Sequence, residues 1–270
     1  MSKIHFVIPD TQVTPESNLA HLAWIGQYLV DQFSDKDVDV IHLGDHWDMP
    51  SLSSYDRGKR AMEGRRYVDD IEAGNRGIDI LMKPLEDHQL RRRVMKHKVW
   101  DPGKHYLDGN HDDRITRATE DDAVLDGALT LEDRNLAKHG FQVHPFLEVV
   151  DLDGIKYAHY FVNNASGRPL SGMIETRIKN VGCSFTMGHQ QGLKMGMLET
   201  ISGRRRGLIA GSCYLDDMDY RGPQGRSEWR GIIICHEVSD GDYCLMEVSL
   251  AWLCQKYEGV TLDKFLGRSN

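Results

Sequence analysis

The chain has 270 residues, 40% hydrophobic and 27% charged, which is ordinary for a globular protein with a sizeable core. Its 33 Lys and Arg residues stand against 41 Asp and Glu residues, and this net charge of −8 argues against a basic protein that coats nucleic acid. Five cysteines without a CxxC pair, no signal sequence and no apolar run near ~18 residues predict a cytoplasmic protein with reduced thiols and no membrane span.

A strand–helix–strand unit is predicted at the start of the chain. Residues 4–9 form a short β-branched run that is typical of a buried strand, and residues 38–43 form a second one. Residues 15–33 are predicted to be helical, because a proline suits a first helical turn and apolar residues then recur on one face. Since parallel strands end at the same edge of a sheet, Asp10 and Asp45 should lie side by side.

The middle of the chain is predicted to be mainly helical. Residues 51–98 are polar, rich in Arg and periodic in the manner of a helix, and Pro84 is expected to interrupt them. Residues 85–98 would then return as a second helix, so we predict an inserted helical hairpin. A weak strand is expected at residues 105–107, and residues 113–138 are predicted to be helical again.

Strands dominate the second half. Six are predicted, at residues 146–152, 155–161, 185–187, 208–210, 231–238 and 243–249. The pairs Asp153-Gly154 and Asp240-Gly241 are typical of two-residue hairpin turns. The whole pattern predicts an α/β fold in which two sheets belong to a single domain, residues 1–270, with the helical insert within it.

Five short motifs follow the predicted strands in one order. They are Asp10-Thr11-Gln12, Gly44-Asp45-His46-Trp47-Asp48, Gly109-Asn110-His111-Asp112, a lone His159 and Gly188-His189-Gln190-Gln191. Any single Asp here could merely cap a helix or form an Asx turn. Together, however, the carboxylates, amides and imidazoles can hold two divalent cations side by side, with Asp45 as the shared carboxylate. His144 is the rival of His159, which is preferred because it ends a predicted strand.

The ordered series resembles the calcineurin-like metallophosphoesterase superfamily, whose blocks run D-x-H, G-D-x-x-D, G-N-H-[DE], H and G-H-x-H. Four of these blocks are present as Asp45/Asp48, Asn110/His111/Asp112, His159 and His189. The resemblance extends over nearly the whole chain and implies a four-layer α/β/β/α sandwich of two mixed sheets with helices outside. Residues 50–55, the Arg-rich helix and Arg114 look more like phage-encoded members, acting in a bacterial cytoplasm, than like cellular phosphatases.

The resemblance implies two metal sites that share one carboxylate. The first would consist of Asp45, Asn110, His159 and His189. This mixed set suits Mn²⁺, Fe²⁺ or Zn²⁺. Gln12 and Gln191 stand where the family has histidines, so the second site, with Asp10 and Asp45, would have only oxygen ligands and favour Mg²⁺, Mn²⁺ or Ca²⁺. Manganese is therefore expected at both, the oxygen site being weaker, and an enzyme with one metal is the alternative.

The resemblance also implies roles in catalysis. His111 would lie beside the scissile phosphate and protonate the leaving group or stabilise its charge, with Asp112 orienting its ring. A hydroxide on the metals would attack phosphorus in line. Asp48 is expected to support the site without binding metal, and His46 and Arg114 could approach the substrate.

Two basic runs could contact a phosphate backbone. They are residues 91–93 with Lys96 and Lys98, and Arg204-Arg205-Arg206, of which the second is expected in a hairpin turn near the metals. A solvated charged face is the ordinary alternative. Trp47 and Tyr55 could stack on bases.

These inferences predict a metal-dependent phosphoesterase, more a manganese-activated phosphodiesterase of nucleic-acid or nucleotide diesters than a phosphatase. A phosphomonoesterase acting on phosphoprotein or nucleotide is the alternative enzyme. A non-catalytic scaffold on a degenerate metal site is the other alternative, and Gln12 and Gln191 are its only support. The sequence indicates no oligomeric state.

Overall fold

The computed structural model describes residues 2–163, 165–201, 203–216 and 228–268. The strands are β1 Lys3–Ile8, β2 Val38–His42, β3 Gly103–Leu107, β4 Gln142–His144, β5 Val150–Leu152, β6 Ile155–Ala158, β7 Ser184–Met187, β8 Leu193–Thr200, β9 Gly203–Ala210, β10 Gly231–Ser239 and β11 Asp242–Ser249. The helices are α1 Ala20–Phe33, α2 Tyr67–Val94, α3 Arg114–Asp121, α4 Ile174–Val181, α5 Leu250–Glu258 and α6 Leu262–Phe265. Within these ranges, no helix combines the length and the apolar character needed to cross a lipid bilayer.

The strands form two mixed sheets. The first has the order β11-β10-β1-β2-β3-β4, and β1 to β4 run parallel in it. The second has the order β5-β6-β7-β9-β8, with β6, β7 and β9 parallel. Because parallel neighbours end at the same edge, the loops after β1, β2 and β3 meet there, as do the loops after β6 and β7.

The two sheets pack face to face. Val7, Ile41 and Leu107 of the first sheet form one buried cluster with Tyr157 and Leu208 of the second. Helices α1, α2 and α5 cover the outer face of the first sheet, and α4 covers the outer face of the second. The predicted α/β class with two mixed sheets is therefore confirmed.

Strand β1 shows why the first predicted strand is apolar throughout. Phe6 and Ile8 face the helical layer, whereas Val7 between them faces the second sheet. Alternate side chains of a strand point to opposite faces, so a strand covered on both sides needs apolar residues at every position. Each such side chain contributes about 1.5–3 kcal/mol on burial.

Both predicted hairpin turns are confirmed. Asp153 and Gly154 join antiparallel β5 and β6, and Asp240 and Gly241 join antiparallel β10 and β11. All four have positive φ, at 52°, 84°, 50° and 82°. A type I′ turn requires positive φ at both central residues, which explains the Asp-Gly pairs.

The helical hairpin predicted for residues 51–98 is wrong. Tyr67–Val94 is one helix, α2, with Pro84 inside it, and it connects parallel β2 to β3. An internal proline costs about 3 kcal/mol in a helix. The close packing of α2 against α1 offsets this cost, since a Cβ on Gly26 would lie only 2.1 Å from the Leu81 carbonyl oxygen.

Other element boundaries also differ from the sequence predictions. The first helix begins at Ala20, because the Asn18 side chain accepts a hydrogen bond from the Ala20 N–H and ends the preceding loop. The helix predicted over residues 113–138 is limited to α3, and short 3₁₀ turns follow it. Strands β4 and β8 and helices α4 to α6 were not predicted. Strand β8 lies at a sheet edge with Gly196 in its middle, so no β-branched run marks it.

Candidate metal centre

The carboxylate of Asp45 is the point on which the other candidate residues converge. It follows β2 and is 1% exposed. Its Oδ1 accepts a hydrogen bond from the backbone N–H of His111 at 2.8 Å, and its Oδ2 lies 3.3 Å from Nε2 of His159. Gly109 permits this approach, because a Cβ there would lie 2.1 Å from Asp45 Oδ1.

Asn110 brings two imidazoles together beside Asp45. Its Oδ1 lies 3.0 Å from Nε2 of His159 and 2.8 Å from Nδ1 of His189. Nδ1 of His159 donates to the Leu43 carbonyl at 2.7 Å, which orients the ring and leaves Nε2 toward the carboxylate. Ligand-capable atoms of Asp45, His159 and His189 all lie within 4.8 Å of one another. This set can hold a metal ion.

His144, the rival of His159, lies elsewhere. Its Nε2 is 3.1 Å from Nδ1 of His105, and the two rings are stacked with centroids 5.4 Å apart. The structure therefore brings His159, and not His144, to Asp45.

Asp10 is a second buried carboxylate next to this set. Both of its oxygens lie 3.1 Å from the backbone N–H of His189, which donates to them. A Cβ on Gly188 would lie 2.3 Å from Asp10 Oδ1, so only glycine fits there. Burial raises the pKa of Asp10, the imidazole of His159 opposes this, and the carboxylate of Asp45 adds to it. Two adjoining buried carboxylates favour a cation between them.

The charge of the centre depends on His159. Burial alone would lower the pKa of this imidazole, but the carboxylates of Asp45 and Asp10 raise it to about 10. Burial would raise the pKa of Asp45, yet His159 and His111 hold it well below its ordinary value. The proton on Nε2 of His159 thus supplies positive charge beside the carboxylate of Asp45. A divalent metal bound between these groups would displace that proton.

Gln12 and Gln191 line the same cavity as Asp45 and His189. Oε1 of Gln12 is buried and has no hydrogen-bond partner among the residues described, a state that costs about 1–3 kcal/mol. Oε1 of Gln191 accepts a hydrogen bond from the hydroxyl of Tyr214 at 3.0 Å. Buried amide oxygens beside carboxylates fit a hard divalent cation, so the oxygen-only ligand set suits the predicted second site.

Backbone strain is concentrated at the centre. Eleven non-glycine residues in the described ranges have a left-handed φ, and five of them lie here: Gln12, Asp45, Met49, His189 and Gln191, with φ between 41° and 65°. Each such conformation costs about 1–3 kcal/mol and persists only where surrounding contacts enforce it. Clustered strain of this kind is typical of functional sites.

The ring of His111 is held by Asp48. Its Nδ1 lies 2.5 Å from Asp48 Oδ1, and its Nε2 lies 4.0 Å from Asp45 Oδ2. The role predicted for Asp112 is wrong, because its Oδ2 instead accepts the backbone N–H groups of Asp45 and Gly109, both at 2.8 Å. Burial would lower the pKa of His111, but Asp45 and Asp48 raise it. His111 can therefore carry a proton next to the centre.

Asp112 belongs to a buried polar network that the sequence did not reveal. The Tyr106 hydroxyl lies 2.9 and 3.0 Å from its two oxygens and donates to them. Arg134 forms a two-pronged ion pair with Asp108, at 2.7 and 3.2 Å, and lies 3.7 Å from Asp112. Asp108 directly precedes the third motif, so its position in the sequence could have indicated that it lies close to Asp112.

His46 and Trp47 do not face the substrate, contrary to prediction. Nδ1 of His46 accepts from the Thr11 hydroxyl at 2.7 Å, and Nε2 donates to the Gly74 carbonyl at 2.9 Å. Trp47 is fully buried, and a Cβ on Gly74 would lie 2.0 Å from its ring. Both side chains pack the second motif against α2, so neither can contact a phosphate or a base.

The prediction that Arg204, Arg205 and Arg206 lie near the metals is wrong. They begin β9, whose Arg206 N–H donates to the Ser184 hydroxyl at the start of β7, whereas His189 follows the end of β7. Arg204 and Arg206 also pair with Asp242, at 3.2 and 2.5 Å. The run therefore lies at the opposite edge of the sheet. The other basic run, residues 91–93, lies in the last turn of α2, where Arg92 pairs with Asp35.

A second group of potential ligands lies toward the starts of β1 and β2. It consists of His5, Asp39 and Asp153. Lys3 already pairs with Asp39 at 3.0 Å, and His5 pairs with Asp153 at 3.0 Å. The Lys3–Asp39 ion pair and the His5–Asp153 hydrogen bond account for the cluster without a metal ion.

A cavity of about 610 Å³ opens at the centre. Its lining includes Gln12, Asp45, Asp48, Tyr55, Arg65, His111, Arg114, His189 and Gln191. Arg114 is fixed there by donating to the carbonyls of Asp48 and Met49, at 2.7 and 3.2 Å. The volume of this cavity is within the usual range for small-molecule binding sites.

Comparison with protein-family models finds no match to this chain, and comparison with curated proteins finds none either. Of the predicted ligands, the structure places these around one point: Asp10, Asp45, Asn110, His159 and His189. Gln12 and Gln191 line the adjoining cavity.

Proposed function

We propose that this chain is a metal-dependent phosphoesterase of the calcineurin-like type that acts on phosphodiesters. The observation that carries the proposal is the convergence of Asp45, Asn110, His159, His189 and Asp10. They follow five different strands, β1, β2, β3, β6 and β7, so no local structural need explains their meeting. The order of the motifs and the two packed mixed sheets with outer helices suit the four-layer sandwich of that superfamily.

We propose that two divalent cations bind, with Asp45 shared between them. Asn110, His159 and His189 would complete one site, and Asp10, Gln12 and Gln191 the other. Oε1 of Gln12, for which the described part of the chain offers no hydrogen-bond partner, supports the second site. Manganese accepts both ligand types and is the proposed activator. When bound, the cations would neutralise the phosphoryl charge and activate water as the nucleophile.

His111 would supply the proton to the leaving oxygen. Asp48 contacts Nδ1 of His111, so Nε2 is the nitrogen that would donate the proton. The raised pKa of His111 favours the protonated ring that this role requires. Arg114 would contact the phosphoryl oxygens, because it lines the same cavity and its guanidinium is anchored on two backbone carbonyls.

The size of the cavity favours a diester over a monoester. It continues from the metal ligands to Tyr55 and Arg65, so it has room for organic groups in addition to the phosphoryl group. A monoester, with one organic group, would fill less of this space. The monoesterase therefore stands as the second outcome of the test.

The test is hydrolysis of bis(p-nitrophenyl) phosphate against p-nitrophenyl phosphate by metal-stripped protein titrated with Mn²⁺. We expect no turnover without metal and a kcat/KM for the diester about tenfold or more above that for the monoester. Asp45→Asn should abolish turnover, and Asp153→Asn, the same change in a remote Asp-Gly turn, should not. Folded protein that stays inert on both esters overturns the proposal, and faster monoester hydrolysis makes the protein a phosphatase.

A further inference from the structure

Two cavities adjoin one another along residues 53–57, beside the proposed metal centre. The first is the 610 Å³ cavity that contains His111 and Tyr55. The second, of about 360 Å³, is lined by Arg57 and Arg117. Ser53 and Arg114 line both cavities, so the two form one groove that leads away from the centre.

Two of the four guanidinium groups in the groove have no carboxylate partner in the described ranges. Arg65 pairs with Asp56 at 3.4 Å and Arg117 pairs with Asp113 at 3.2 Å. In the part of the chain that the structure describes, neither Arg57 nor Arg114 has a carboxylate oxygen within 4.0 Å. Unneutralised cations beside a cation-binding centre, in a chain of net charge −8, favour an anionic ligand with charge at more than one position.

Tyr55 offers an aromatic surface in the same groove. Its side chain is 83% exposed, and the ammonium of Lys59 lies 3.5 Å from the centre of its ring. This cation–π contact covers one face of the ring and leaves the other for a ligand. A base that stacks on an exposed ring gains about 1–3 kcal/mol.

The groove has a limited length. Asp121 and Asp122 also line the second cavity and would repel further phosphates there. Since Tyr55 lies toward the metal ligands and Arg57 beyond it, the order along the groove is metal centre, aromatic ring, guanidinium. This order matches phosphate, base and next phosphate along one strand.

Building on the proposed function, we propose that the groove binds the nucleotide next to the scissile phosphate of a single-stranded polynucleotide. Its base would stack on Tyr55, and its following phosphate would lie beside Arg57. The strand must be single, because a base paired in a duplex cannot present its face to a side chain.

The first measurement is binding without turnover. Full-length protein in EDTA is titrated into a fluorescein-labelled oligonucleotide of about six thymidines, and anisotropy gives Kd. Arg57→Gln should raise Kd about tenfold and reduce the slope of log K against log salt by about 0.7, the value for one phosphate of a single strand. Arg60→Gln, the same change outside both cavities, should bind as the wild type does.

The second measurement tests stacking. Tyr55→Ala should raise Kd about tenfold, whereas Tyr55→Phe should retain the wild-type value. An oligonucleotide with abasic sites should remove the difference between the alanine variant and the wild type. If both Arg57→Gln and Tyr55→Ala keep the wild-type Kd, the proposal that the groove binds a single strand is wrong. A multiply phosphorylated peptide that displaces the oligonucleotide at lower concentration would also overturn it.

Aryl diester turnover on the same preparations separates this proposal from the proposed function. If the oligonucleotide Kd depends on Arg57 and Tyr55 but the wild type does not hydrolyse the aryl diester, the binding proposal is supported. The proposed hydrolase function is then refuted. Protein that hydrolyses the diester, with an oligonucleotide Kd that neither variant changes, supports the hydrolase and refutes the groove.

Discussion

The carboxylate of Asp112 accepts a hydrogen bond from the backbone N–H of Asp45 at 2.8 Å, and this links the third motif to the second beneath the candidate metal centre. The same Oδ2 also accepts the N–H of Gly109. Asp112 therefore fixes the two loops that carry the central carboxylate and the amide ligand. Although Asp112 is next to His111 in sequence, it does not orient the His111 ring, which contacts Asp48 instead.

Asp112→Asn should destabilise the protein by about 3 kcal/mol. The asparagine would turn an NH₂ group toward donors that now point at a carboxylate, and it would leave Arg134 with Asp108 alone. Urea unfolding of the full chain measures the loss. Asp113→Asn, the half-exposed neighbour, serves as the control. An Asp112 variant of wild-type stability would contradict the loop-holding role.

The carboxylates of the centre were predictable because they follow strands whose pattern is local. A short apolar run followed by Asp10 or Asp45 identifies a strand end, and parallel pairing then brings the two together. The Asp-Gly hairpins were predictable for the same reason, since the turn chemistry is contained in two residues.

What could not be predicted depends on contacts between distant parts of the chain. Arg134 meets Asp108 across 26 residues, and no spacing rule indicates that pair. The continuity of α2 through Pro84 depends on its packing against α1, which outweighs the local helix-breaking signal. The position of Arg206 depends on the register of β9 against β7. Charge alone could not distinguish the two ends of that strand.

Gly109→Ala should impair the centre while the fold persists. The added Cβ would lie 2.1 Å from Asp45 Oδ1 and 2.6 Å from the Asp45 backbone nitrogen, so the loop that carries this carboxylate must shift. A displacement of this order costs about 10²-fold in rate. We expect a fall of that size in manganese-dependent kcat/KM, and a lower Mn²⁺ affinity by calorimetry. Gly192→Ala, whose nearest atom would be 3.9 Å away, is the matched control. Equal Mn²⁺ affinity in both variants would argue against Asp45 as a ligand.

His21 should make stability fall in acid. It is fully buried, and burial lowers its pKa to about 3. Because this folded-state pKa lies below that of the unfolded chain, at about 6.5, its contribution is complete above that value and is lost as pH falls from there toward about 3.

Urea unfolding at several pH values tests this point. Between about pH 7 and about pH 5 the wild type should lose about 2 kcal/mol more than His21→Leu, at 1.36 kcal/mol per pH unit below the unfolded pKa. His97→Leu, at an exposed position after α2, controls for the loss of an imidazole. Parallel pH profiles for the wild type and His21→Leu would contradict the prediction.

Gln12→His should shift metal preference toward zinc. Among the described residues, the present amide oxygen has no hydrogen-bond partner, and it is buried beside carboxylates, which suits a hard cation. An imidazole at this position adds a softer nitrogen ligand, so Zn²⁺ should gain relative to Mn²⁺ by about tenfold or more in affinity. Calorimetric titration of metal-stripped protein with each ion measures the ratio. Gln190→His, between the two candidate ligands of the fifth motif, is the control for an added histidine nearby. If both variants keep the wild-type ratio, Gln12 does not contact a metal, and the centre is left with the cation held by the two imidazoles, Asn110 and Asp45.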